Sequence, residues 1–263
     1  MKRLPFSAFC IALLIALPVP AQAQAPGPYY ARGTFYCAAD LIGSTPPDTC
    51  YGYGAPLQLF DDGAHGDGAA ADGVWGVDVV CNQPGGLREF KIANADWTFA
   101  QPTSPGYDLQ NGRVWTSGPG DVVHFRLDFT TPEPGWVPAI GVANDHPFPA
   151  GSQLELMGSA PELGAWSSGL SADHVGTIWQ VIATIATPGS YEFKFRVVGT
   201  WNISNFGRDY NNNFGRNGTF VTTAPDTEMI IQFDELTGRI RAVPYADTPV
   251  MPLSWGLIKA LYR

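Results

Sequence analysis

The sequence predicts an all-β protein, two tandem immunoglobulin-like β-sandwich domains after a signal peptide. Three observations predict it. Glycine (30) and proline (23) are abundant in a chain of 263 residues that carries little charge, the composition of short strands joined by turns. Val122 to Phe129 alternates, with Val123, Phe125, Leu127 and Phe129 on one face and His124, Arg126 and Asp128 on the other; Met229, Ile231 and Phe233 repeat this against Gln232 and Asp234. Period-two alternation marks a half-buried antiparallel strand. The third observation is an internal repeat.

Residues 1–25 read as the signal peptide. Lys2 and Arg3 open it, Cys10 to Val19 is apolar, and Ala21-Gln22-Ala23-Gln24-Ala25 offers small residues at cleavage spacing, with Ala23 and Ala25 equally good sites. Export is expected, extracellular, cell-surface or periplasmic. The remainder suffices for one large or two ordinary domains. The repeat selects two. VWGVDV (Val74 to Val79), Pro84-Gly85-Gly86, REFKI (Arg88 to Ile92) and Trp97 are answered by IWQVIATI (Ile178 to Ile185), Pro188-Gly189-Ser190, YEFKF (Tyr191 to Phe195) and Trp201. The offset holds at 103 to 104 residues from Trp75/Trp179 to Trp97/Trp201. The expected boundaries are a first sandwich at 28–130, a Pro-rich linker at 131–137, a second sandwich at 138–245 and a C-terminal tail at 246–263.

Composition excludes several classes. A net charge of -9 opposes nucleic acid and anionic lipid surfaces. No segment after the leader is apolar for the ~20 residues that a membrane helix needs. Cys37, Cys50 and Cys81 follow the leader, and export permits a disulfide; the sequence leaves the pairing open, with one thiol over. Phrases for hydrolytic catalysis such as G-x-S-x-G and H-E-x-x-H are absent, and the four histidines, His65, His124, His146 and His174, lie apart in sequence and read as surface or turn residues. A non-enzyme is expected.

Two phrases carry the chemistry. GSAPELGAW (Gly158 to Trp166) ends a loop on a Trp, and PGSYEFKFRVVGTW (Pro188 to Trp201) presents Lys194 and runs out at another Trp, before a loop holding Asn202, Asn205, Asn211, Asn212, Asn213 and Asn217. Sugars offer an apolar C–H face and a rim of hydroxyls, so a binder joins flat aromatic rings to donors and acceptors at their edge. The alternative for Trp201 is core filling.

These phrases resemble the starch-binding family of carbohydrate-binding modules. Tyr191 to Trp201 is also similar to the glycogen-binding module of AMP-activated protein kinase and to the tandem starch-binding-like modules of bacterial pullulanases. The resemblance covers nearly all of the second domain and the later two-thirds of the first. It implies a surface groove for α-glucan lined by Trp166, Lys194, Trp201 and Asn217. In the first domain Lys91 and Trp97 stand at matching places, with Asn111 a looser candidate; no Trp answers Trp166, and the region reads Cys50-Tyr51-Gly52-Tyr53.

Asp61, Asp62, Asp67 and Asp72, interleaved with glycine, are candidate oxygen ligands for calcium; turn formation is the competing reading. No other cofactor is expected. The functional expectation is a secreted, non-catalytic α-glucan-binding protein, with a separate amylolytic enzyme as a candidate partner. The alternative is a cell-surface or matrix interaction protein whose sandwiches no longer bind sugar.

Overall fold

The computed structural model describes residues 27–43, 50–102, 111–211 and 215–247. The leader 1–25, Asn212, Asn213 and all but the first two residues of the tail 246–263 lie outside the described residues. The chain is built of strands. In the first half these are β1 (Tyr29–Gly33), β2 (Val74–Val80), β3 (Gly86–Asn94), β4 (Ala100–Gln101), β5 (Gly112–Thr116), β6 (Val122–Asp128) and β7 (Gly141–Asn144). In the second they are β8 (Leu154–Gly158), β9 (Leu170–Ser171), β10 (Asp173–Val175), β11 (Ile178–Ile185), β12 (Gly189–Val197), β13 (Asn205–Gly207), β14 (Tyr210–Asn211), β15 (Gly218–Thr222), β16 (Thr227–Asp234) and β17 (Arg239–Pro244). Among the described residues the helical content is three short 3-10 turns.

The sequence repeat is a repeat of pairing. β2 pairs antiparallel with β6, Trp75 opposite Leu127; β11 pairs the same way with β16, Trp179 opposite Phe233. β3 pairs with β1, β4 and β5, and β12 pairs with β8, β13 and β15. Each half is therefore two antiparallel sheets packed face to face. The alternating rings fill the space between: Phe125 of β6 meets Phe35 and Phe90 at 4.6 and 5.1 Å, and Phe233 of β16 meets Phe206 and Phe195 at 4.1 and 6.2 Å. Burying rings of this size contributes roughly 2–3 kcal/mol each, which a chain with so many short strands needs.

The halves meet along a seam of mutually bonded polar groups. β7, beyond the Pro-rich stretch 131–137, hydrogen-bonds to β6 of the first half, Asp128 opposite Gly141. The buried Tyr210 hydroxyl accepts from the backbone N–H and the Nδ2 of Asn144, both at 3.2 Å, and its ring lies 6.1 Å from Phe90. Arg239 of β17, almost fully buried, pairs with Asp128 at 3.1 Å and donates to the carbonyls of Asp128, Thr130 and Ala139. Arg113 of β5 donates to the carbonyl of Asn202 at 2.9 Å. A buried cation tolerates its desolvation only when its donors are used like this.

Candidate functional site

The phrase Gly158 to Trp166 folds into a 3-10 turn, Pro161–Leu163, that unwinds through three consecutive left-handed residues: Gly164 (φ 81°), Ala165 (φ 47°) and Trp166 (φ 63°). A Cβ on Gly164 would run into the carbonyl of Ser168, so the turn needs glycine there. Ala165 and Trp166 stay left-handed because their N–H groups are held by the carbonyls of Ala160 (3.1 Å) and Gly158 (2.9 Å). The turn lifts the Trp166 ring to the surface, half-exposed. Left-handed non-glycine backbone is strained, and such strain collects where a side chain must be presented.

Trp201 arrives from the end of β12, past a left-handed Gly199. Its ring centre lies 6.2 Å from that of Trp166 at an interplanar angle of 48°, both rings partly exposed. The cation beside them is Arg196, whose guanidinium carbon sits 4.5 Å from the Trp201 centroid. Glu155, directly across β8 from Arg196, accepts from Arg196 Nε at 2.7 Å and from the Gly199 N–H at 2.9 Å. One carboxylate thus fixes both the cation and the turn that carries the ring. At the edge of the sheet Asn217 Nδ2 donates to exposed Glu192 at 3.0 Å.

Lys194 takes a different place from the one its sequence position suggests. It is 6% exposed, and its Nζ donates to Asn205 Oδ1 at 3.2 Å. Asn205 Nδ2 in turn donates to the Trp201 carbonyl at 3.3 Å. The cause is β13, which pairs with β12 at its edge and runs so close to the side chain that a Cβ on Gly207 would stand 3.1 Å from the Lys194 chain. Burial lowers the Lys194 pKa from 10.5 to about 8, against the opposing fields of Asp209 and Glu192. The cation beside the rings of the second half is Arg196, and Lys194 braces the loop of Trp201 from behind. Asn211 of that loop also turns inward: its Nδ2 donates to the Pro147 carbonyl at 2.8 Å and to Ser204 Oγ at 3.1 Å.

The first half carries a matching arrangement. Tyr51 and Trp97 lie 6.4 Å apart at 50°, close to the spacing and tilt of the Trp166/Trp201 pair. Trp97 is 42% exposed and left-handed (φ 63°), on a turn in which Asn94 bridges to Thr98 (2.7 Å) and to the Phe99 N–H (3.0 Å). Arg32 of β1 stacks over it at 3.9 Å and donates from Nε to the Tyr51 carbonyl at 2.6 Å. Burial lowers the Arg32 pKa to about 10, so the guanidinium stays charged at neutral pH. Tyr51 follows Cys50, which forms a disulfide with Cys37; Cys81 is the free, buried thiol. The Tyr51 hydroxyl donates to Glu89 at 3.2 Å, and burial together with the Glu89 charge holds its pKa far above the usual phenol range. Asn111 Nδ2 donates to the same carboxylate at 2.9 Å, the counterpart of Asn217 on Glu192. Lys91, like Lys194, is buried, its Nζ 2.9 Å from the Pro102 carbonyl.

Each half therefore presents two tilted rings, a guanidinium over one of them, and an exposed carboxylate bonded to an amide. The guanidinium comes from β12 in the second half and from β1 in the first. Sequence reasoning missed Arg32, Arg196 and Glu155. The signal for Arg196 was its place in the Glu192-Lys194-Arg196 face; Arg32 sits in a strand whose five residues are all buried, where nothing marks it as a ring partner.

The aspartates expected as calcium ligands are engaged with backbone amides. Asp67 accepts from the N–H groups of Asp62 and Gly63, Asp61 from Asp72 and Gly73, Asp72 from Ala69 and Val74, and Asp62 from Ala64. Among the described residues no group of three or more His, Cys, Asp or Glu is arranged to hold a metal ion, and no helix is long and apolar enough to cross a membrane.

No protein-family model matches the chain, and no curated protein matches it. Among solved structures, SusF from Bacteroides thetaiotaomicron is similar at 15% sequence identity and a TM-score of 0.27, over 84% of this chain and 49% of that one. The chain spans about half the length of SusF. A superposition at that level carries no argument, so function rests on the geometry of the rings.

Proposed function

We propose that this chain is an exported, non-catalytic α-glucan-binding protein with a ring-pair site on each half. The observation that carries the reading is the Trp166/Trp201 pair, 6.2 Å apart at 48°, repeated by Tyr51/Trp97 at 6.4 Å and 50°. Two partly exposed rings tilted against each other suit a curved ligand better than a flat one, because successive sugar faces of an α-linked chain turn as the chain coils. The bonded carboxylate–amide edges, Glu192 with Asn217 and Glu89 with Asn111, supply acceptors and donors for hydroxyls. Each site offers one exposed carboxylate, whereas glycoside hydrolysis calls for two across the scissile bond. That arrangement supports binding without cleavage.

The test is affinity electrophoresis of the chain without residues 1–25 through gels containing amylopectin. Retardation is expected, reduced by Trp166→Ala with Trp201→Ala and abolished when Trp97→Ala is added. An unretarded wild-type chain, or retardation undiminished in the triple variant, overturns the proposal.

A further inference from the structure

A cleft of about 760 Å³ opens between the two sandwiches, a size that accommodates a compact organic ligand. None of the four rings of the ring-pair sites lines it. Its walls gather three histidines that are far apart in sequence, His124, His146 and His174. Each is held by a carboxylate: His124 Nδ1 by Asp78 at 2.8 Å, His146 Nδ1 by Asp121 at 3.6 Å, and His174 Nε2 by Glu235 at 3.1 Å. His174 also stacks flat on Trp179 at 4.1 Å, and the Trp179 Nε1 donates to Glu235 at 2.9 Å. Such bracing sets the rings at fixed angles around the cavity. Trp115 of β5, half-exposed, supplies an aromatic wall.

Two features of the lining specify what it takes. Arg126 lines the cleft; its guanidinium lies 3.9 Å from Asp128, and its Nε is buried with no hydrogen-bond partner among the described residues, a donor left for a ligand. The lining also carries Asp121, Asp145 and Glu235 against that one guanidinium, which disfavours an anion. A cation is poorly served too, because each of these carboxylates already accepts from the protein: Asp121 from the Ser117 N–H, Asp145 from the His124 N–H, Glu235 from His174 and Trp179. What remains is a wall of interspersed donors and acceptors beside an aromatic face. Groups that both donate and accept, carried on a scaffold with an apolar side, match it, and hydroxyls on a sugar ring are such groups.

We propose that this inter-sandwich cleft is a third, separate binding site, for a short neutral saccharide of two or three units, with Arg126, Asp145 and Trp115 as its contacts. It is independent of the ring-pair sites. A ligand there touches both halves and stabilises their docking by mass action.

The experiment uses the chain carrying Trp97→Ala, Trp166→Ala and Trp201→Ala, which lacks the ring pairs. Maltotriose, cellobiose, trehalose and lactose are titrated into it by calorimetry, with putrescine as the cationic comparison. At least one sugar is expected to bind saturably, and Asp145→Asn or Trp115→Ala in the same background is expected to weaken it by about tenfold or more. Asp145 is exposed, so its variant carries the test should Trp115→Ala fail to fold. No saturable sugar binding up to about 10 mM, binding indifferent to both substitutions, or selective binding of putrescine each overturns the proposal. Amylopectin retardation lost while saccharide binding persists separates this site from the ring pairs.

Discussion

Arg196 lies over Trp201 at 4.5 Å because Glu155, across the strand pair, holds its Nε at 2.7 Å. The two interactions use different properties of the guanidinium, its π-face and its edge. Arg196→Lys keeps the charge and loses the planar stack, so amylopectin affinity is expected to fall by several-fold with little change in folding. Glu155→Ala is expected to act differently. It leaves a largely buried guanidinium unpaired and frees the Gly199 turn, lowering stability by about 3 kcal/mol in urea denaturation as well as weakening binding. Equal stability loss in both variants contradicts this division.

The buried Lys194 makes stability depend on alkaline pH. Its folded pKa of about 8 is below its unfolded value of 10.5, so between those limits the unfolded chain binds more protons than the folded one. Stability from this group therefore rises with pH through that window and is flat below it. Thermal melts of wild type and Lys194→Met from pH 7 to 10 check the sign: the difference between them is expected to shift in favour of wild type as pH rises. A difference independent of pH shows that the amine is not held near neutrality.

The first ring pair depends on the Cys37–Cys50 disulfide, which anchors the chain immediately before Tyr51. Closing so short a loop contributes about 3 kcal/mol in the chain-entropy description. Mild reduction, or Cys37→Ser with Cys50→Ser, is expected to remove the amylopectin binding that remains in Trp166→Ala/Trp201→Ala, while leaving the binding of Trp97→Ala intact. Quenching of Trp97 fluorescence by iodide before and after reduction gives a second readout.

The seam is expected to make the halves unfold together. Arg239 directs its donors to Asp128 and to carbonyls of 128–139, so Arg239→Met removes the nearest cation from the buried Asp128 and the donors from several acceptors and is expected to cost about 3 kcal/mol. Calorimetry is expected to show one endotherm for wild type and a lower, broadened or divided one for the variant. Two well-separated endotherms in the wild type contradict the coupling.

Much of the strand architecture was legible because alternation and the repeat report directly on which faces are buried. Val122 to Asp128 lies in β6 with Val123, Phe125 and Leu127 buried as its alternation requires; Met229 to Phe233 lies in β16, where Ile230 and Gln232 are buried as well. The site was legible only in part. Trp166 and Trp201 stood out because a large ring after Gly or beside Asn is poorly placed for a core. Lys194 misled for the opposite reason: period-two alternation says that it leaves the core face, and cannot say that Asn205 and Gly207 of the neighbouring β13 then enclose it. Arg32 and Tyr51 are invisible locally, since their meeting with Trp97 depends on strand pairing and a disulfide across tens of residues. The three clefted histidines were hidden by the same long-range geometry, each being unremarkable among its sequence neighbours.

The hydrogen bond from Arg113 to the Asn202 carbonyl has an implication for any attempt to dissect the molecule. It runs from one sandwich into the loop that displays the other's indole. A fragment cut at the Pro-rich stretch leaves that loop tethered on one side only. Weak glucan capture by such a fragment reflects a slackened platform, and the intact chain is the proper unit in which to weigh what its tryptophans do.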